Sequence, residues 1–145
     1  GTIFGISPGM RFHTAVNKFC WQATYGVPIT VWKTALHQVR PYLDLTDAIR
    51  AIHFLVERKQ YDQNVYNVLT TNSSVSKIIE TIRMHIPQIS ISYVETKIMN
   101  QLSYEVSNDK FKALSFAFQG DINLGIKETL DLLGHDLSKR QKAAA

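Results

Sequence analysis

Asp44 and Asp47 stand three residues apart and could serve as paired carboxylates for acid/base work. Their setting argues for a different use. Asp44 ends an apolar strand pattern and Asp47 falls in the first turn of a helix pattern, where negative charge meets the positive end of the helix dipole, so capping is the expected role. The five histidines, at positions 13, 37, 53, 85 and 135, are scattered. His53 and His85 lie inside helix patterns and His135 follows Gly134, and a histidine needs a tuning partner before it becomes a catalyst. Cys20, between Phe19 and Trp21, reads as a small buried hydrophobe. Without a second cysteine or a Cys/His cluster, neither an internal disulfide nor a zinc site is expected, and no metal is assigned. Dinucleotide, Walker, zincin and nucleophile-elbow motifs are all missing from the sequence. What remains is Arg40 in "HQVRPYLDLTDAIRAI", a lone arginine ahead of a short apolar strand. Gln38, two residues earlier, shares its side if the stretch is extended. Pairing with Asp44 or Asp47 is the structural alternative for this arginine.

The composition sets the frame for these residues. At 145 residues and 45% hydrophobic content the chain is long enough to bury a real core as one domain. The formal charge of +4 suggests a basic partner surface, but Lys139, Arg140 and Lys142 supply three of those charges. The remaining 13 basic and 12 acidic residues nearly cancel, which excludes the electrostatic footprint of a nucleic-acid binder. Nothing approaches the run of about eighteen apolar residues that a membrane helix needs. The sequence opens with no signal peptide, and the single cysteine suits a reducing setting, so a cytoplasmic location is expected.

Periodicity gives the elements that must position the candidates. "GTIFG" reads as a short strand and "ISPGM" as a turn. Apolar residues at 12, 15, 16, 19, 20 and 23 predict a helix over 12–25, closed by Gly26 and Pro28. "PITVW" and "RPYLDL" read as strands. Thr46 is the expected N-cap of a helix through Ala48, Ile49, Ile52, Leu55 and Val56. "NVYNVL", residues 64–69, reads as a buried parallel strand. Ser74 or the serines beside it announce a helix that Pro87 ends, "ISISYVE" alternates as a strand, "SYEVSNDKFKAL" predicts a strand entering a short helix capped near Ser107, and "DINLGIKETLDLLG" predicts a last helix. Strands separated by helices indicate an α/β layer architecture.

The ordered series "GTIFGISPGMRF", "AVNKF", "GVPITVW", "RPYLDLTDAIRAI", "VYNV", "YVET", "SYEVSNDKFKAL" and "INLGIKETLDLL" resembles the second half of the extended short-chain dehydrogenases, and more specifically the NAD-dependent sugar-nucleotide epimerases and dehydratases. The resemblance implies the terminal strands of a Rossmann-like sheet within residues 1–70 and the small α/β substrate-binding lobe within 71–138. Residues 139–145, ending in "KAAA", read from their composition as a tail that is partly vector-derived. The resemblance also implies a glycine-rich NAD loop and a helical Tyr-x-x-x-Lys pair in an N-terminal half upstream of Gly1. NAD or NADP would belong to the parent enzyme, and these residues alone are expected to be inactive and to bind neither. Tyr93 and Lys97 match the Tyr-x-x-x-Lys spacing, but in a strand-to-loop segment, and count as coincidence.

By the same resemblance Arg40 faces the diphosphate of a nucleoside-diphosphate sugar, a role that suits a guanidinium with its fixed fork of donors and permanent charge. Asn17 in "AVNKF" and Arg11 in "MRF" are further substrate-binding candidates, with Gln38 beside Arg40. The family's second phosphate-binding arginine has no counterpart between Arg83 and Arg140, and Lys97 or Gln101 are the stand-ins. Two other classes stay open. One is a non-catalytic sugar-nucleotide-binding module. The other is an assembly domain whose Phe12, Phe19 and Trp21 meet a partner chain, or whose copies pair through apolar surface left by the absent sheet.

Overall fold

The computed structural model describes residues 2–95 and 103–143. A three-stranded sheet is built from β1 (Thr2–Phe4), β3 (Val39–Asp44) and β4 (Thr71–Ser74), in the order β1-β3-β4. β1 runs parallel to β3 with Thr2 opposite Tyr42, and β4 runs antiparallel with Ser73 opposite Arg40. A second, two-stranded parallel sheet pairs β2 (Ile29–Trp32) with β5 (Ile91–Val94). Around them lie α1 (Ala15–Thr24), α2 (Leu45–Glu57), α3 (Val75–His85), the single turn α4 (Asp109–Lys112) and α5 (Ile122–Ala143). This is the α/β architecture expected from the sequence.

The main core forms where α1, α3 and α5 meet the inner faces of the strands. Val16, Phe19, Cys20 and Ala23 present one buried stripe of α1, which meets Ile78, Ile79 and Ile82 of α3 and Ile126, Leu130 and Leu133 of α5. Burial pushes the Cys20 thiol up to about 12. Because Phe19 is buried and Trp21 stacks on Tyr25 at 5.3 Å between centroids, the aromatics of α1 serve the chain's own packing. A second cluster gathers Ala51, Phe111 and Phe116 under α2, with Phe54, Tyr66, Val68 and Phe118 against it.

Several boundaries differ from the sequence pattern, each for a local reason. α1 begins at Ala15, and Phe12 lies outside it, 40% exposed. The cap of α2 is Asp44, whose Oδ1 accepts from Thr46 N at 2.7 Å; Thr46 is already inside the first turn. Ser74 does cap α3, accepting from Lys77 N at 3.2 Å. Residues 64–69 are not a strand, because Tyr66 and Val68 pack on the aromatic cluster; pairing with β3 starts only where Thr70 N donates to Tyr42 O. Residues 103–106 are not a strand either. The Asn72 side chain takes the place of a neighbouring strand there, donating to Val106 O at 3.0 Å and accepting from Val106 N at 3.1 Å. α5 continues past Gly134 to Ala143, so Lys139, Arg140 and Lys142 are helical.

Two glycines of α5 set opposite expectations. A methyl at Gly134 meets nothing within 4 Å, so Gly134→Ala gains roughly 0.5–1 kcal/mol from helix propensity. A methyl at Gly125 would stand 2.5 Å from Cε2 of the buried Phe4 ring, and overpacking of about 1–3 kcal/mol outweighs the same propensity gain. Urea midpoints should therefore rise for the first variant and fall for the second.

Candidate functional site

β3 delivers Arg40 to the rim of a cavity of about 410 Å³ whose lining includes His13, Lys18, Trp32, Gln38 and Tyr104. Its guanidinium is oriented from several sides. Nη2 donates to Gln38 Oε1 at 2.9 Å, Nη1 donates to Val39 O at 2.8 Å, and the Tyr104 ring centroid lies 4.8 Å from Cζ. The 103–104 segment is tied to the start of the same strand, since Val39 N donates to Ser103 Oγ at 2.9 Å and Tyr104 N donates to Val39 O. The strand that carries the arginine thus also fixes the ring beneath it.

The charge of the cavity is one-sided. None of its described lining residues is acidic, while Arg40, Lys18 and His13 all reach it. Burial raises the phenol pKa of Tyr42 in the same wall, with the Arg40 charge acting in the opposite direction, so Tyr42 stays a neutral hydroxyl. A pocket with cations, a neutral phenol and aromatic rims suits an anion attached to a flat or apolar group.

The chain resembles known proteins in both sequence and fold. No family model matches it. Over 72 residues it is 36% identical to the UDP-sulfoquinovose synthase of Sulfolobus acidocaldarius, a match that covers 48% of this chain and 18% of that protein. The solved UDP-glucuronic acid 4-epimerase from Bacillus cereus, in complex with UDP-4-deoxy-4-fluoro-glucuronic acid and NAD, superposes on 92% of this chain with a TM-score of 0.79 at 17% identity. The chain shares the fold of this epimerase. It matches the C-terminal part of that fold and spans 43% of the Bacillus enzyme. The UDP-glucose 4-epimerase of Thermotoga maritima, solved with UDP-glucose, gives a TM-score of 0.75 at 16% identity over 94% of this chain and 44% of its own.

The four substrate-binding candidates expected from the sequence fall into two groups. Gln38 and Arg40 share the larger cavity. Arg11 and Asn17 line a neighbouring one of about 330 Å³, and His13 lines both. Asn17 is 4% exposed on α1; its Nδ2 donates to Arg11 O at 3.2 Å, while its buried Oδ1 has no partner among the described residues. Asp44 caps α2, and the fully buried Asp47 takes an ion pair from Arg50 at 3.1 Å, so both carboxylates have structural duties. Lys97 and Gln101 lie outside the described residues, and Tyr93 sits on β5.

Sequence reasoning missed Lys18, Tyr104 and Trp32. Lys18 and Tyr104 sit within stretches that carry the family resemblance, but no spacing marks either one. They join the cavity only because α1, β2 and the 103–104 segment are brought together by the fold.

Proposed function

We propose that this chain is the substrate-binding C-terminal portion of an NAD- or NADP-dependent nucleoside-diphosphate-sugar epimerase or dehydratase. It holds the nucleotide's diphosphate while hydride transfer belongs to the N-terminal Rossmann half of such an enzyme, with residues 1–70 completing that half's sheet and 71–138 forming the substrate lobe. The observation that carries this reading is Arg40, braced by Gln38 and Tyr104, in a cavity without a described carboxylate. Holding the diphosphate in one pose orients the sugar for reaction, and orientation by itself lowers a barrier considerably.

The residues present do not fit a dinucleotide. β1 leads into a turn, the sequence has no G-x-G-x-x-G, and its one Tyr-x-x-x-Lys match begins on a strand. No hydride step is therefore assigned to them. Among the described residues no helix is long and apolar enough to cross a membrane, and the proposed setting is the cytoplasm.

Calorimetric titration with UDP-glucose is the test. The unaltered chain should bind, and Arg40→Ala should weaken binding about tenfold to a hundredfold, since hydrogen bonds to charged groups contribute about 1.5–3 kcal/mol. Arg40→Lys should recover only part of the loss, having charge without the fork. Absence of binding by the unaltered chain, or an Arg40→Ala variant as tight as wild type, overturns the reading.

A second reading has its own observation. On α2, Ile49, Ile52 and Val56 are 50%, 64% and 57% exposed on one helical face. A stripe of this kind favours an assembly surface, either with the rest of a parent enzyme or between copies.

A further inference from the structure

The diphosphate of a sugar nucleotide carries a negative charge on each phosphoryl group at neutral pH. Arg40 supplies a single positive charge, and between Arg83 and Arg140 the sequence offers no other arginine. The fold supplies a second cation from a different place. Lys18 lies on α1, one residue before the buried Phe19, and reaches the wall of the cavity that Arg40 lines. It is half-buried and forms no ion pair among the described residues. Asp47 is engaged with Arg50 and Glu95 with Lys33, so neither of those carboxylates is at hand to neutralise it. A lysine stem can lie along apolar wall while its ammonium stays at the polar end of the pocket. Two cations from two elements, without a described acidic group between them, suit a diphosphate, whose two linked phosphoryl groups can each face one cation.

We infer that Lys18 is the second phosphate-binding residue of this site, sharing the diphosphate of a nucleoside diphosphate with Arg40. The inference rests on the diphosphate-binding reading above and names the residue that completes it. As a point charge on a flexible stem, Lys18 contributes attraction with little geometric selectivity, while the Arg40 fork sets orientation.

The whole 145-residue chain is titrated by calorimetry with UDP, uridine and inorganic pyrophosphate, as wild type, Lys18→Met, Lys18→Arg and Arg40→Ala. Lys18→Met should weaken UDP and pyrophosphate about tenfold to a hundredfold. Uridine affinity and the melting temperature should stay unchanged, and Lys18→Arg should restore UDP binding. Lys18→Gln repeats the test with a polar side chain if the methionine disturbs folding. UDP binding that weakens in Arg40→Ala but not in Lys18→Met or Lys18→Gln overturns the inference and leaves the Arg40 reading standing. Pyrophosphate binding that needs Lys18, with no binding of UDP beyond it, keeps the inference and removes the nucleotide. Failure of both UDP and pyrophosphate to bind the wild type overturns both.

Discussion

Asp47→Ala should lower the unfolding free energy by about 3–5 kcal/mol, the usual consequence of removing one partner from a buried ionic network. The carboxylate is fully buried and holds three separate parts of the chain. It pairs with Arg50 on its own helix at 3.1 Å and accepts from Thr70 Oγ1 at 2.9 Å. It also accepts from the backbone N–H groups of Gln119 and Gly120 at 2.9 and 3.0 Å. Alanine would leave a half-buried guanidinium and two amides without their acceptor. Asp47→Asn keeps the shape but loses the charge and should fall between the two. Urea denaturation reads the effect, and a loss below about 1 kcal/mol for Asp47→Ala would place it among ordinary surface changes and refute the latch.

Gly120 belongs to the same latch. A methyl there would lie 2.7 Å from Asp47 Oδ2 and 2.4 Å from Asp44 Cβ, so the loop approaches the carboxylate because it lacks a side chain at this point.

Phe111→Ala should cost a similar amount, about 3–5 kcal/mol, by removing the centre of the second core. The ring is fully buried and meets Phe116 at 4.9 Å, Tyr66 at 5.8 Å, Phe54 at 5.9 Å and Phe118 at 6.1 Å between centroids. Aromatic pairs in edge-on and tilted geometries add to simple area burial. Phe111→Leu retains most of the volume and should lose less, about 1.5 kcal/mol. Near-ultraviolet circular dichroism together with urea titration separates loss of packing from loss of fold. An alanine variant with an unchanged midpoint would show that the cluster can collapse around the gap. The Asp47 latch and this cluster both anchor the segment before α5, so the double variant should deviate from additivity.

The contrast between these two sites shows what the sequence could reveal. The stripe at 15, 16, 19, 20 and 23 announces α1 because helical periodicity survives in one dimension, and Ser74 announces α3 because capping is a contact three residues long. Residues 64–69 misled because Tyr66 and Val68 have strand-like types but find their apolar partners around Phe111, more than forty positions away. At 103–106 the pairing of a strand is mimicked by one amide side chain, Asn72, which no pattern distinguishes from a surface asparagine. The candidate site was legible to a similar degree. Arg40 and Gln38 were visible from strand alternation and family resemblance, and they do share a cavity. Lys18 and Tyr104 were not visible, because each reaches that cavity from an element whose position depends on long-range packing.

The buried thiol of Cys20 gives this protein a clock of its own. Its Sγ lies 4.0 Å from Ile126 O in the seam between α1 and α5, and with a pKa near 12 almost none of it is thiolate at neutral pH. A disulfide reagent needs a thiolate it can reach, so the native state is doubly unreactive. Labelling can proceed only during the rare moments when α1 lifts away from α5, and its rate then counts those openings. Every variant above carries this reporter unchanged. How each of them changes the opening of this seam can be read in plain buffer from how fast a coloured thiol exchange develops, before any denaturant is added.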